Sequence, residues 1–593
     1  MDQERTQDYQ NRLAGAEKRV SEIRGKINSV ITLRILVFLA AGFGVYFFLE
    51  TPWVSFGSGL TGLIIFGLLV KRHGNLSLSR KYQESIATLN QLELDAFQGN
   101  FEELDTGKEF LDPEHDYSYD IDLFGKGSFF QFFNRTKTFG GKRKLAQLLT
   151  LNSCDRLNEK QEATQEISSK TDWRQHFIAT ADIIEEMKET EPVTTWLKEH
   201  KPYLKSVVIQ ILRFIYPVAS LASFILLSMD LISYHLVVGL FFGGLIVTGM
   251  FIKKTTAVYQ VASKNSEIIN QYAKLLQAIE TEQFDSVIMK AHLESIRTDK
   301  KSAAAILNEL GKIMNQLHSR NNLLIGIFGN AWGLWDLQYV SKLEKWISMY
   351  KNQAEQWFET IHEVDALIST GNFASNYPGY CYPSLNSDDN VIKATSAGHP
   401  LIPAVKRINN DILISKNNFV IVTGANMAGK STFLRTIALN IVMANAGMPV
   451  CATDFEYSPI KLITSMRTSD SLQKEESYFF SELKRLKFII DKIQTDKYFI
   501  ILDEILKGTN SKDKEQGSKK FVKKLVASGS TGIIATHDLA LCQISEDFSS
   551  VINHYFDAEI IEGELRFDYK MKDGVCQNMN ASFLLKKMGI VDD

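Results

Sequence analysis

Cysteine is scarce in this sequence. Five occur in 593 residues, Cys154, Cys381, Cys451, Cys542 and Cys576. None forms a C-x-x-C pair and no histidines cluster at metal spacing, which argues against a zinc ribbon, a redox motif or a disulfide framework. They read as buried, reduced thiols of a cytosolic compartment. An excess of charge of one sign is also lacking. With a net formal charge of −3, no overall basic field draws the chain onto nucleic acid. No period of solenoid length recurs. The opening stretch has no small-residue cleavage site after a short apolar region, so it is expected to remain as an anchor.

Long apolar runs, by contrast, are plentiful. "ITLRILVFLAAGFGVYFFL" (31–49) carries only Arg34, near one end, where a long side chain can reach the interface. "WVSFGSGLTGLIIFGLLV" follows after three residues and stops at Lys71-Arg72. A second pair, "FIYPVASLASFILLSM" (214–229) and "LISYHLVVGLFFGGLIVTGMFI" (231–252), is separated by Asp230. Each run approaches the roughly 20 residues that span a bilayer core, and the links permit only hairpins. Lys and Arg crowd the outer flanks (Arg19, Arg24, Lys26; Arg80, Lys81; Lys201, Lys205, Arg213; Lys253, Lys254), while neither tight connection carries any. That asymmetry is the positive-inside pattern, and it favours two membrane hairpins over buried core helices.

The expected organisation is a cytoplasmic amphipathic helix (1–30), a first hairpin (31–72), a helical region (73–208), a second hairpin (209–254), long helices (255–370), a linker (371–395) and an α/β domain (396–593). "SEIINQYAKLLQAIE" and "KLEKWISMYKNQAEQWFETIHEVDALI" have apolar residues three and four apart, the spacing of amphipathic helices. "GNFASNYPGYCYPSLNSDD" is rich in Asn, Ser, Gly and Pro, hence the linker. Beyond it, "FVIV", "KYFIIL" and "TGIIAT" alternate with helical stretches, which predicts a largely parallel sheet.

Chemistry concentrates there. "GANMAGKST" (424–432) follows a strand and opens a helix, the setting a phosphate loop requires. Gly424, Ala425, Asn426, Met427, Ala428, Gly429, Lys430, Ser431 and Thr432 would bind nucleotide. Glycines let backbone N–H groups turn inward, Lys430 supplies a point charge for the β- and γ-phosphates, and Ser431 offers a hydroxyl to Mg²⁺. A second strand ends in Asp503-Glu504. Asp503 would hold Mg²⁺ through water, and Glu504 would orient or deprotonate the attacking water. A third strand presents His537, which could sense the γ-phosphate.

These residues resemble the ATPase domain of the MutS family of mismatch-repair proteins. "GANMAGKST" is similar to that family's G-P-N-M-G-G-K-S-T, and "DEILKGTN" to D-E-I-G-R-G-T-S. "TSMRTSDSLQKEESYF" is similar to T-R-I-G-A-S-D-D-L-A-S-G-R-S-T-F through Ser469, Asp470, Leu472, Ser477 and Phe479. Ala535-Thr536-His537 and His399-Pro400 also match. Upstream, "NRTKTFGGKRKLAQLL" resembles the start of the family's helical core through Thr136, Thr138, Gly141, Arg143 and Leu145. The resemblance implies a MutS-type P-loop α/β ATPase domain preceded by an all-α core that two membrane hairpins interrupt. It also implies ATP and Mg²⁺ as cofactors, His399 among the nucleotide-binding residues, and a homodimer in which Ser477 of one protomer faces the γ-phosphate bound to the other.

Departures are equally plain. A membrane hairpin is expected where the family has its mismatch reader, no nuclease-like extension is expected, and too few residues lie between 255 and 370 for long levers plus a DNA clamp. Glu476 stands where the family has Arg, and Leu506-Lys507 replace Gly-Arg. The expected function is a membrane-anchored, multi-pass ATPase of a bacterial inner membrane, with both termini and the ATPase in the cytoplasm. DNA binding is the activity the family name implies, and the protein partner of the helical arms is unknown. Alternatives from other classes are an ATP-driven transporter and a nucleotide-gated scaffold. Against the former, the spans carry almost no polar lining except His235 and lack an S-G-G-Q type signature.

Overall fold

The computed structural model describes residues 3–183, 191–298, 301–386, 389–467, 478–561 and 564–577. It opens with two long helices packed side by side, α1 (Gln3–Phe47) and α2 (Pro52–Phe97). The amphipathic opening and the first apolar run are thus one continuous helix, because neither Gly nor Pro interrupts the segment where they join. Small residues let the pair approach: Gly44 meets Ser58 Cβ, Gly59 meets Val45, and a Cβ built on Gly62 would overlap Ala41. Close contact through small residues is the way apolar helices associate in lipid, where the hydrophobic effect gives no drive. At the far end α2 joins the helical body through a buried ion pair, Glu93 with Arg135 at 2.6 Å, and Asn372 and Asn376 donate to the same carboxylate. Tyr9 of α1 donates to Asn376 at 2.6 Å.

The helical body contains α3 (Phe139–Thr150), α4 (Val207–Ser228), α5 (Tyr234–Gly249), α6 (Ile252–Glu280), α7 (Ala303–His318) and α8 (Trp335–Asn376). Thr138 caps α3 by accepting from the Gly141 N–H. The Thr138 and Lys137 N–H groups in turn donate to Asp365 of α8. Among the described residues three helices are long and apolar enough to cross a membrane, α1, α2 and α4; α5 and α6, bent by 68° at their break, make a fourth if counted as one span. Their apolar stretches are almost wholly exposed: Phe38, Phe43, Phe56, Leu63, Phe214 and Ile246 each have more than 60% of their surface uncovered.

Helix α8 continues through Gly371 to Asn376, and strands begin at Ser384, so the expected linker holds regular structure. Gly371 is there for packing. Its α-carbon lies so close to Ile167 that a Cβ would overlap that side chain.

The C-terminal part has a six-stranded sheet ordered β12-β9-β4-β8-β7-β6. Its strands are β4 (Phe419–Gly424), β6 (Lys461–Ser465), β7 (Tyr498–Asp503), β8 (Thr531–Ala535), β9 (Val551–Phe556) and β12 (Met571–Asp573). All neighbours run parallel except β12 with β9. Strands β4, β6, β7 and β8 are buried nearly end to end, as sheets covered on both faces are. One face packs against α9 (Lys430–Asn445), the other against α10 (Tyr478–Lys492) and α11 (Ser511–Ala527). A second sheet, β1-β5-β2-β3, joins β1 (Ser384–Leu385), β2 (Asn390–Ala397), β3 (Asn410–Ser415) and β5 (Asp454–Tyr457). The sequence reading did not anticipate it. A two-stranded hairpin, β10 (Glu559–Ile561) with β11 (Glu564–Arg566), stands apart.

Candidate active site

Strand β4 delivers its chain to a loop shaped by backbone conformation. Gly424 has φ +144° and Gly429 φ +101°. A Cβ on Gly424 would overlap the Phe556 carbonyl oxygen, and one on Gly429 would sit 3.0 Å from the Tyr569 ring. Only glycine fits either place. Between them Met427, at φ +67°, projects into solvent with Asn426, while Ala425 and Ala428 turn inward. Gly429 then opens α9, so the helix's unpaired N–H groups face the loop, with exposed Ser431 and Thr432 in the first turn.

Lys430 is only 6% exposed. Its ammonium donates to the carbonyls of Gly424 (2.9 Å) and Ala425 (3.0 Å) and lies 3.2 Å from His537 Nε2. Burial pushes its pKa down, opposed by the nearby carboxylates of Glu504 and Asp503. His537 follows β8, the strand between β4 and β7, and its Nε2 stands 2.7 Å from Glu504 Oε1. A cation, an imidazole and a carboxylate therefore meet across three adjacent strand ends. Hydrogen bonding from His537 is the main cause that holds Glu504 down at about 2, against the opposing effect of burial. With Nε2–H given to Glu504, the lysine's protons are left for the two loop carbonyls.

Glu504 itself has φ +49° and Leu506 φ +59°, a conformation costly for side chains with a Cβ. Leu506 stands where the resembling family has glycine. Glu482 of α10, buried at 4% exposure, props this turn by accepting from the N–H groups of Leu506 (2.5 Å) and Lys507 (3.0 Å). The sequence reading missed Glu482, because nothing in a helical pattern marks one glutamate among several. It missed Tyr569 too, whose ring lies against the loop from a segment more than a hundred residues on. Asp503, the last residue of β7, is half-buried.

One expected residue, His399, is not gathered here. His399 accepts from the Leu401 N–H through Nδ1 at 3.3 Å, and burial together with Arg435 and Arg407 lowers it to about 4. Among the described residues it makes no hydrogen bond to the loop. Ser477 lies outside the described residues, as do Ser469, Asp470, Leu472 and Glu476.

Residues 420–587 match the family model for MutS domain V. Over that domain, the chain is similar to the MutS family. Similar curated proteins include the DNA mismatch repair protein MutS of Staphylococcus haemolyticus, 27% identical over 47% of this chain and 32% of its own length. The protein of that name from Fusobacterium nucleatum is 32% identical over 36% of this chain and 25% of its length. The human MutS protein homolog 4 is 30% identical over 37% of this chain and 24% of its length. The shared part thus amounts to a third or less of these relatives' own length.

Proposed function

We propose that this chain is a membrane-anchored MutS-type ATPase that binds and hydrolyses ATP with Mg²⁺ at a dimer interface. The convergence of Lys430, His537 and Glu504 on three neighbouring strand ends carries the reading. The loop fits a phosphate chain: its two glycines admit no Cβ, its N–H groups open a helix, and a buried ammonium waits beside it. Ser431 and Asp503 would hold Mg²⁺, whose charge neutralises the phosphate oxygens. Tyr569 offers an aromatic face on which a base could stack. Glu504, held at about 2 by His537, stays ionised at neutral pH. It serves best by accepting from and orienting the attacking water, since so weak a base gains little from taking the proton. A homodimer would bring Ser477 of the partner to each site.

Glu504→Gln is expected to keep Mg²⁺-ATP bound and lower turnover by roughly 100-fold or more. A rate unchanged within twofold overturns the role of Glu504, and loss of ATP binding by the native chain overturns the site. Membrane anchoring is supported by the exposed apolar helices. Its test is extraction of the full chain with alkaline carbonate, and release into the supernatant removes it.

A second reading, DNA handling, is favoured by the names of the relatives. It predicts an affinity for duplex or mismatched DNA that falls steeply with salt. Absence of binding at low salt would leave the ATPase reading intact and strike out this one.

A further inference from the structure

Helices α7 and α8 are joined by "NNLLIGIFGNAWGLW" (321–335), fifteen residues without a charge between Arg320 and Asp336. A joint facing water should be polar. Here the chain makes a π-helical turn, Ile325–Gly329, then a short helix, Asn330–Gly333, and reverses at Leu334 with φ +50°. Leu323 and Leu324 are 72% and 65% exposed, and Ile327 and Phe328 are also uncovered.

The inner side of this tip is wedged into the second hairpin. The Trp332 ring lies 5.0 Å from Phe224 of α4 and 5.3 Å from Phe241 of α5, and Phe328 lies 6.0 Å from Phe241. The Ala331 carbonyl rests on Gly244 of α5 so closely that a Cβ there would overlap it. Depth follows from residue counting. Phe224 is eleven residues beyond Arg213, about 16 Å along a helix at 1.5 Å per residue, which is half of a hydrocarbon core roughly 30 Å thick. Charged groups stop at the level of Arg213. Its guanidinium donates to Ser341 (2.5 Å), and the nearly buried pair Arg320 and Asp336 (3.2 Å) closes the neck of the tip.

We propose that residues 321–335 are a re-entrant membrane segment, a third inserted element that enters and leaves on the cytoplasmic side and packs its aromatic face on the second hairpin. Its occupant on the outer side is lipid hydrocarbon, which covers Leu323, Leu324 and Phe328. Backbone that is not a full span is tolerated at this depth where protein buries it, and here α4 and α5 do so. The inference rests on the reading that the second hairpin spans a bilayer.

The test uses the unaltered full chain in vesicles of bacterial lipid containing a bilayer-dissolved carbene precursor, with adducts mapped by mass spectrometry after illumination. Peptides from 321–335 should carry adducts at a density near that of 214–249 and at least about tenfold above that of α7, which stays in water. Adducts on 214–249 with none on 321–335 overturn the inference and spare the anchoring. Adducts on neither overturn the inference together with the span of the second hairpin on which it rests. A complementary variant, Leu324→Lys, should leave ATP binding unchanged while reducing labelling of 321–335 severalfold. Undiminished labelling would count against insertion of Leu324.

Discussion

At the scale of single residues, His362 of α8 shows how burial sets a protonation state. Its Nε2 lies 3.1 Å from the Tyr272 hydroxyl, its ring covers Gly140 so that no Cβ fits there, and burial lowers its pKa from 6.5 to about 4. The unfolded chain then binds the proton more readily, so stability is complete above pH 6.5 and lost as pH falls toward 4. Expressed as free energy the loss is on the order of 3 kcal/mol by pH 4. The difference in unfolding free energy between the native chain and His362→Gln should shrink by that order across the window, measured by denaturant titration. Asp365, fully buried and raised to about 6, acts in the opposite sense, its contribution falling as pH rises from about 4 through 6. The variant difference isolates the histidine. Glu482 allows a second expectation: Glu482→Ala leaves two N–H groups of the strained turn unpaired, an omission that costs about 1–3 kcal/mol. The turn should loosen and kcat fall several-fold with KM little changed; equal kcat would mean that the turn holds itself.

The lysine, the paired acids and the glycines were legible at this scale because their spacing is local. Glu482 and Tyr569 were not, since what brings them to the site is tertiary packing across 22 and 139 residues measured from Glu504 and Lys430.

At the scale of elements, hairpins and strands were readable from long apolar runs and short β-branched ones. The second sheet escaped because β2 alternates irregularly and both β2 and β3 sit in a stretch dense in Asn, Ser and Pro, which reads as loop. The α1–α2 pair invites a direct check. Gly62→Leu should force the helices apart at Ala41, at the 1–3 kcal/mol typical of overpacking, and lower the melting temperature of the purified protein by several degrees. Gly67→Leu, on the same helix with open space about its α-carbon, should leave it unchanged. Equal effects of both substitutions would mean that the contact at Gly62 carries no weight.

At the scale of the whole molecule, the segment 114–122 ties the helical body to the sheet. Arg485 of α10 donates to the carbonyls of Thr464, His115 and Asp116 at 2.9, 3.0 and 2.6 Å. Asp120 accepts from the Thr464 hydroxyl and from the N–H groups of Met466 and Arg467. Asp122 pairs with Arg435, one turn into α9 beyond Lys430, and with Arg467. Removing the guanidinium leaves several carbonyls without a donor, so Arg485→Ala should speed proteolytic cleavage within 98–128 severalfold. Unaltered cleavage would show that the carboxylates suffice.

The 42 residues of α8 run without a break from the tip at the second hairpin to Asn376, beside the sheet. Such a rod is about 63 Å long at 1.5 Å per residue. If domain closure tilted its base by about 5°, the opposite end would travel roughly 5 Å, close to one helical pitch. Trp332 and Ala331 sit at that end, so a rotation too small to notice near the 424–432 loop would slide one aromatic wedge a full ridge along its neighbours.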